Sequence, residues 1–112
     1  APALVAGNCA ILKPSEIAGL SCMFLGKLAK DVGIPEGVFS VVTGDRETGA
    51  ALVASPSVSM VSFTGSSLTG SKIMEASAPK LSQVALELGG KSAMVVFEDT
   101  DIERAVEATI KG

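Results

Sequence analysis

Met60-Val61-Ser62-Phe63-Thr64-Gly65-Ser66-Ser67 carries the pattern from which the architecture of this chain follows. A strand-like run ends in a turn of small residues, and helical spacing of apolar residues then continues over residues 68–78. The same alternation recurs along the chain. It predicts strands over residues 10–13, 38–42, 60–64, 83–88 and 93–97, and helices over residues 17–32, 48–54, 68–78 and 102–110. Strands that alternate with helices indicate an α/β fold, a doubly wound, mostly parallel sheet with helices on both faces.

The composition suits such a sheet and excludes several other classes of protein. Apolar residues make up 47% of the 112 residues and aromatic residues only 4%, which favours an aliphatic core. A net charge of −3 gives no indication of nucleic acid or of an anionic membrane surface as a partner. No apolar run approaches the roughly 18 residues of a membrane-spanning helix.

The two cysteines, Cys9 and Cys22, lack the spacing of a metal site, and no metal is predicted. A disulfide between them is one interpretation, and two buried free thiols in a reducing compartment are the favoured one. We therefore predict a cytoplasmic protein, with an organellar matrix as the alternative.

In doubly wound sheets, ligands bind outside the carboxyl ends of the strands, and the segments that follow the strands are therefore candidate sites. Lys13-Pro14-Ser15-Glu16 follows the first predicted strand. The Glu16 carboxylate can accept hydrogen bonds from ribose hydroxyls, and Lys13 can donate to the same sugar. The alternative is a helix start at which Glu16 interacts favourably with the helix dipole. After the second strand, Gly44 either permits turn geometry or lets an adenine ring lie against bare backbone.

The turn after the third strand is a candidate anion site. Backbone N–H groups at the start of the helix predicted to begin at Leu68 lack partners, and together with the dipole they suit a phosphate. Gly65 allows close approach, and Ser66 could add a hydroxyl donor. The alternative is an ordinary serine N-cap. Neither G-x-G-x-x-G nor a P-loop lysine motif is present.

The end of the fourth strand contains a carboxylate in apolar surroundings, and a glycine turn follows it, in the order Leu86-Glu87-Leu88-Gly89-Gly90-Lys91-Ser92. Partial desolvation favours the neutral form of a carboxyl group and suits it to act as a general base near neutral pH. We therefore expect Glu87 to be partly desolvated and a candidate base. The alternative is an outward-facing strand residue followed by a glycine turn.

Taken together, these motifs resemble the aldehyde dehydrogenase superfamily, specifically the cofactor-binding domain of its NAD(P)-dependent members. The resemblance covers essentially the whole chain, and the Glu87 motif is the family's own signature. It implies a Rossmann-like fold in which the chain is part of the dinucleotide-binding domain and the catalytic domain is absent. The matching segments are residues 2–8, 12–16, 33–38, 63–66 and 86–92.

The resemblance also implies roles for particular residues. Lys13 and Glu16 would contact the adenosine ribose, and Gly44 would lie beside the adenine. Glu87 would be the general base that activates the catalytic thiol or the hydrolytic water. The other implied cofactor contacts line the ribose edge, the pyrophosphate turn and the nicotinamide end: Pro14 and Ser15; Gly65, Ser66, Ser67 and Gly70; and Leu88.

For the complete protein, the resemblance implies oxidation of an aldehyde to a carboxylic acid through a cysteine thioester. The nucleophilic cysteine would follow the last residue of this chain, since neither Cys9 nor Cys22 lies in the matching context, and the chain alone should be inactive. Glu16 favours NAD, whereas Lys13 leaves NADP open. The implied partners are a small aldehyde and further copies in a dimer or tetramer. Residues 70–72 and 99–102 resemble the aminoaldehyde and betaine aldehyde branch. The alternative function is a non-catalytic dinucleotide-binding or regulatory module.

Overall fold

A computed structural model describes residues 1–90 and 92–111, and helices and strands alternate along the chain as predicted. Two short 3-10 turns, Glu16–Ala18 and Ala78–Lys80, lie before the second helix and after the fourth. The elements, in chain order, are α1 (Pro2–Val5), β1 (Ala10–Leu12), α2 (Gly19–Asp31), β2 (Phe39–Val41), α3 (Arg46–Ala54), β3 (Met60–Gly65), α4 (Ser67–Ser77), β4 (Gln83–Leu88) and α5 (Ile102–Lys111).

The strands pair in parallel, which confirms the predicted α/β class. β1 pairs with β2, with Leu12 opposite Val41, and β3 pairs with β4, with Gly65 opposite Leu88. Over the described ranges the strands form two separate pairs. Because paired parallel strands run in the same direction, the residues that follow β1 and β2 meet at one edge, and those that follow β3 and β4 meet at another.

Local side-chain and glycine signals set the helix boundaries. The Asp45 carboxylate accepts hydrogen bonds from the backbone N–H groups of Glu47 and Thr48 and so caps α3. Asp101 accepts from Arg104 N at 3.2 Å and so caps the start of α5. After α2, Gly33 adopts a φ of 83°, and its N–H donates to Lys30 O. A glycine in this conformation ends the helix because it carries no Cβ.

The buried core of the described residues is small. Ala29, Val53 and Ile73 are buried apolar side chains, one each from α2, α3 and α4, and Pro14 is buried after β1. The apolar side chains at helical spacing along α2 stay open to solvent, and the least exposed of them, Leu28, is 44% exposed. They are Leu20, Phe24, Leu25, Leu28 and Val32, the last of which directly follows the helix. The radius of gyration is 18.8 Å, whereas a compact domain of this length has a value of about 13 Å. The apolar faces of this chain therefore exceed what its own elements cover.

The strand predicted over residues 93–97 does not form. This segment has no regular structure, and Val95 and Phe97 are each 71% exposed. The apolar run is typical of a buried strand, but a strand also needs a neighbour to pair with, and none lies beside it in the described part of the chain.

Two further expectations can be compared with the structure. Both cysteines are free, as favoured, but neither is buried as expected: Cys9 is exposed and Cys22 is half-buried. Among the described residues, no helix has the length and apolar character to cross a membrane.

Candidate functional site

The first candidate region is a cleft of about 250 Å³ at the carboxyl end of the β1–β2 pair. Four of its lining residues are the predicted Pro14, Ser15, Glu16 and Gly44. The other two are Gly19 and Thr43. Thr43 begins the segment that follows the second predicted strand and so belongs to a predicted candidate region. Sequence reasoning missed Gly19, which carries no pattern that distinguishes it.

Lys13 and Glu16 form an ion pair beside this cleft. Lys13 Nζ lies 3.3 Å from Glu16 Oε1 and donates to Pro14 O at 3.0 Å. The Lys13 side chain is 17% exposed and that of Glu16 58%. A hydrogen bond from its own backbone, followed by the hydrogen bond and charge of Lys13, holds the pKa of Glu16 below its ordinary value of 4.5, against opposing effects of burial and Asp45. Glu16 is therefore an ionised acceptor at neutral pH, and it also begins a 3-10 turn.

The conformation of Gly44 accounts for its residue type. Its φ is 152°, and a Cβ at this position would collide with the Thr48 side chain. Only glycine fits such a turn without strain. The turn interpretation of Gly44 is thus supported, and its place beside an adenine ring stays a prediction.

The second candidate region surrounds the start of α4, where the serine N-cap interpretation is realised. Ser66 Oγ accepts a hydrogen bond from Thr69 N at 3.2 Å and donates to Thr69 Oγ1 at 3.0 Å. The hydroxyl is therefore already engaged. The backbone N–H groups of Ser67 and Leu68 have no acceptor among the described residues, so they are the donors left for an anion.

Two glycines bring the end of β4 against the start of α4. A Cβ on Gly70 would lie 2.7 Å from Leu88 Cδ2, which is closer than two carbon atoms can approach. A Cβ on Gly89 would lie 4.0 Å from Ser67 Oγ. Leu88 and Gly89 therefore adjoin the first turn of α4 because Gly70 has no side chain.

Glu87 lies close to the turn between β3 and α4. The prediction that its side chain is partly desolvated is wrong for the described chain. Its strand partner is Thr64, the residue before Gly65, so the carboxylate lies at the same end of the strand pair as that turn, on the sheet face opposite α4. The side chain is exposed, because no element of the described chain covers the face that carries it. Leu86 and Leu88 point to the opposite face, toward α4. Lys91, the last charged residue of the motif, lies outside the described residues.

The structure thus gathers the predicted residues into two groups rather than one. Lys13, Pro14, Ser15, Glu16 and Gly44 surround the first cleft. The second group lies where β3, β4 and α4 meet and comprises Gly65, Ser66, Ser67, Gly70, Glu87 and Leu88. The two strand pairs are not hydrogen-bonded to each other in residues 1–90, and α3 lies between them along the chain.

Comparison with known proteins places the chain among aldehyde dehydrogenases. A sequence profile of the aldehyde dehydrogenase family matches residues 1–112. Aminoaldehyde dehydrogenase 1 of Pisum sativum, a peroxisomal protein, is 55% identical over 113 aligned residues, which cover 100% of this chain and 22% of that protein.

Two solved structures have the same fold. An NADP-dependent enzyme of E. coli is 43% identical with a TM-score of 0.93, covering 97% of this chain and 23% of its own length. PnpE in complex with nicotinamide adenine dinucleotide is 48% identical with a TM-score of 0.89, covering 95% of this chain and 22% of its own. The chain therefore spans less than a quarter of the proteins that it matches.

Proposed function

Because this chain belongs to the aldehyde dehydrogenase family, we propose that it supplies the dinucleotide site and the general base of an NAD(P)-dependent enzyme that oxidises an aldehyde to a carboxylic acid. The observation that carries the proposal is the first cleft, which is lined by Pro14, Ser15, Glu16 and Gly44 at the carboxyl end of two parallel strands. This is where an open α/β sheet binds its ligand.

In this proposal the first cleft holds the adenosine half of the cofactor. The Glu16 carboxylate accepts from the ribose hydroxyls, and Lys13, held at 3.3 Å from it, donates to the same sugar. Pro14 and Ser15 border the ribose, and Gly44 leaves room for the adenine. A carboxylate repels a 2′-phosphate, so Glu16 favours NAD over NADP. The positive charge of Lys13 reduces this repulsion and so leaves NADP binding open.

The second region holds the pyrophosphate and the nicotinamide end. Gly65 lets the chain turn closely, and the N–H groups of Ser67 and Leu68 supply donors to an anion at the start of α4. Ser66 holds that turn as the N-cap, and Gly70 keeps α4 close to Leu88. The backbone carbonyl of Leu88 faces the nicotinamide end in this arrangement.

Glu87 acts on protons in the proposed reaction. The cofactor accepts the hydride when bound, and the oxidised carbonyl is left as a thioester on a cysteine outside this chain. Glu87 takes a proton from water as the water oxygen attacks the thioester carbon, and the thiolate leaves as the acid forms. The open face around Glu87 supports this role, because a general base must be reachable by water and by the reacting carbonyl.

Four finer assignments accompany the proposal. The domain is the partial dinucleotide-binding domain, and the complete protein assembles as a dimer or tetramer. The substrate is a small aldehyde, for which the pea relative's name favours an aminoaldehyde. The cytoplasmic location stays a prediction, and the peroxisomal name of that relative favours the organellar alternative.

The direct test is cofactor binding and turnover by the full-length protein. NAD at 100 times its dissociation constant should stabilise the folded protein by about 2.7 kcal/mol. Addition of an aminoaldehyde or betaine aldehyde should then produce reduced nicotinamide, measured by its absorbance. Binding without any aldehyde oxidation would identify a non-catalytic module, and no stabilisation by NAD or NADP would reject the dinucleotide site.

Glu16→Gln should weaken NAD more than NADP. The substitution removes a charged acceptor for the ribose and, at the same time, the charge that repels a 2′-phosphate. Because a hydrogen bond to a charged group is stronger than one to a neutral amide, we expect NAD affinity to fall about tenfold. Titration with each cofactor measures the ratio. Glu36→Gln, the same change at an exposed residue outside the cleft, is the matched control. Equal weakening of NAD and NADP by Glu16→Gln would contradict the ribose assignment.

A further inference from the structure

The side chain of Lys80 joins two chain junctions that are distant in sequence. Its ammonium group donates to Val53 O at 2.6 Å and to Ser55 O at 2.7 Å, and it lies 3.5 Å from Val58 O. Lys80 belongs to the turn between α4 and β4, whereas its acceptors belong to the end of α3 and the turn before β3. The ammonium therefore ties the α4–β4 junction to the α3–β3 junction.

The carbonyl groups that accept from Lys80 lie at the end of α3, where they lack hydrogen-bond donors within the helix. The last carbonyl groups of a helix have no partner within it, and a cation at that end also interacts favourably with the helix dipole. Val53 is in the last turn of α3, and Ser55 follows the helix directly. Ser82 reinforces the same junction, since its hydroxyl donates to Val58 O at 3.2 Å. Backbone carbonyls thus surround the Lys80 ammonium, which is half-buried between them.

This junction lies between the two candidate regions. The N-terminal end of α3 follows Gly44 of the first cleft, and Gly49 of α3 lies against the Lys13 stem, where a Cβ would be 3.6 Å from Lys13 Cδ. Lys80 holds the C-terminal end of α3 and lies three positions before Gln83, the first residue of β4, which ends at Glu87 and Leu88. Since the strand pairs share no hydrogen bonds over residues 1–90, α3 and its contacts connect one region to the other.

We propose that Lys80 is a positioning residue. It sets the distance and orientation between the first cleft and the second candidate region, which contains the start of α4 and Glu87. The inference rests on the proposed function, because it concerns how one dinucleotide spans both regions. A ligand that occupies two subsites binds more tightly than a ligand that occupies one of them. This gain requires that the distance and orientation between the subsites match the ligand. Lys80 therefore contributes to dinucleotide affinity without touching the cofactor.

The test uses the full-length protein and compares two ligands: adenosine monophosphate, which occupies only the first cleft in this proposal, and NAD, which spans both regions. Lys80→Met keeps an apolar stem and removes the ammonium. We expect its affinity for adenosine monophosphate to stay within about twofold of wild type and its affinity for NAD to fall about tenfold, the effect of one charge-assisted hydrogen bond. Lys80→Arg, which retains a donor cation, should restore most of the NAD affinity. Lys72→Met, at an exposed lysine of α4, is the matched control and should change neither affinity.

Calorimetric titration separates the outcomes. Equal losses for both ligands, or unchanged NAD affinity in Lys80→Met, would overturn the positioning role. If Lys80→Met does not fold, Ser82→Ala decides the question, because it removes only the hydroxyl bond to Val58 O. It should lower NAD affinity by a smaller factor and leave adenosine monophosphate unaffected, and an equal or absent effect would overturn the inference. A wild-type protein that binds neither ligand would reject the proposed function, and the inference with it.

Discussion

Glu87→Gln should slow acid release in the full-length protein by about 10²–10⁴-fold, the usual contribution of a positioned general base. The amide is nearly the same size as the carboxylate but cannot take a proton from water. The strand pairing of Thr64 with Glu87 is unaffected by the change, since it uses only backbone groups. The unchanged backbone pairing of β3 with β4 keeps Gly65 opposite Leu88. Dinucleotide affinity should therefore stay within about twofold of wild type.

The kinetic signature separates a base from a structural residue. Mixing the variant with NAD and aldehyde should give a rapid burst of reduced nicotinamide, followed by slow steady turnover, because only thioester hydrolysis is impaired. Rapid-mixing absorbance measures both phases. Glu75→Gln, at an exposed position of α4, provides the control and should behave as wild type. Wild-type steady turnover by Glu87→Gln would remove this residue from the mechanism.

Sequence was sufficient for the features that depend on neighbouring residues. The start of α5 at Asp101 and the end of α2 at Gly33 follow from capping and glycine geometry, both of which are local. The cleft residues Pro14, Ser15, Glu16 and Gly44 were also predictable, because parallel strands bring the ends of β1 and β2 together. The alternation of strands and helices in the sequence is thus sufficient to predict the position of the first candidate region.

Features that depend on a distant partner could not be predicted in this way. The apolar run over residues 93–97 has strand composition but no strand to pair with in the described chain. Glu87 lies in an apolar run, yet its burial depends on what covers the other face of β3 and β4. Lys80 is one lysine among several in the sequence, and only the fold brings it to carbonyl groups 22 to 27 residues away.

Close contact between α4 and β4 gives the second large expected effect, at Gly70. Gly70→Val places a branched side chain where a Cβ alone would lie 2.7 Å from Leu88 Cδ2. Overpacking of this kind costs roughly 1–3 kcal/mol, more than the helix propensity that valine gains over glycine. We expect α4 to move away from β4, with faster amide hydrogen exchange in both elements, because the local opening free energy falls. NAD affinity should fall about tenfold or more, since the donors at the start of α4 move relative to Leu88.

A double-mutant cycle identifies Leu88 as the cause of that loss. Gly70→Val combined with Leu88→Ala should recover hydrogen-exchange protection relative to Gly70→Val alone, because the shorter side chain vacates the space that valine requires. Ala76→Val, at an exposed position of α4, introduces the same side chain without the collision and serves as the control. If Gly70→Val and Ala76→Val lower protection and NAD affinity equally, the effect comes from valine in the helix. The contact with Leu88 would then not be what holds the pyrophosphate turn beside Glu87.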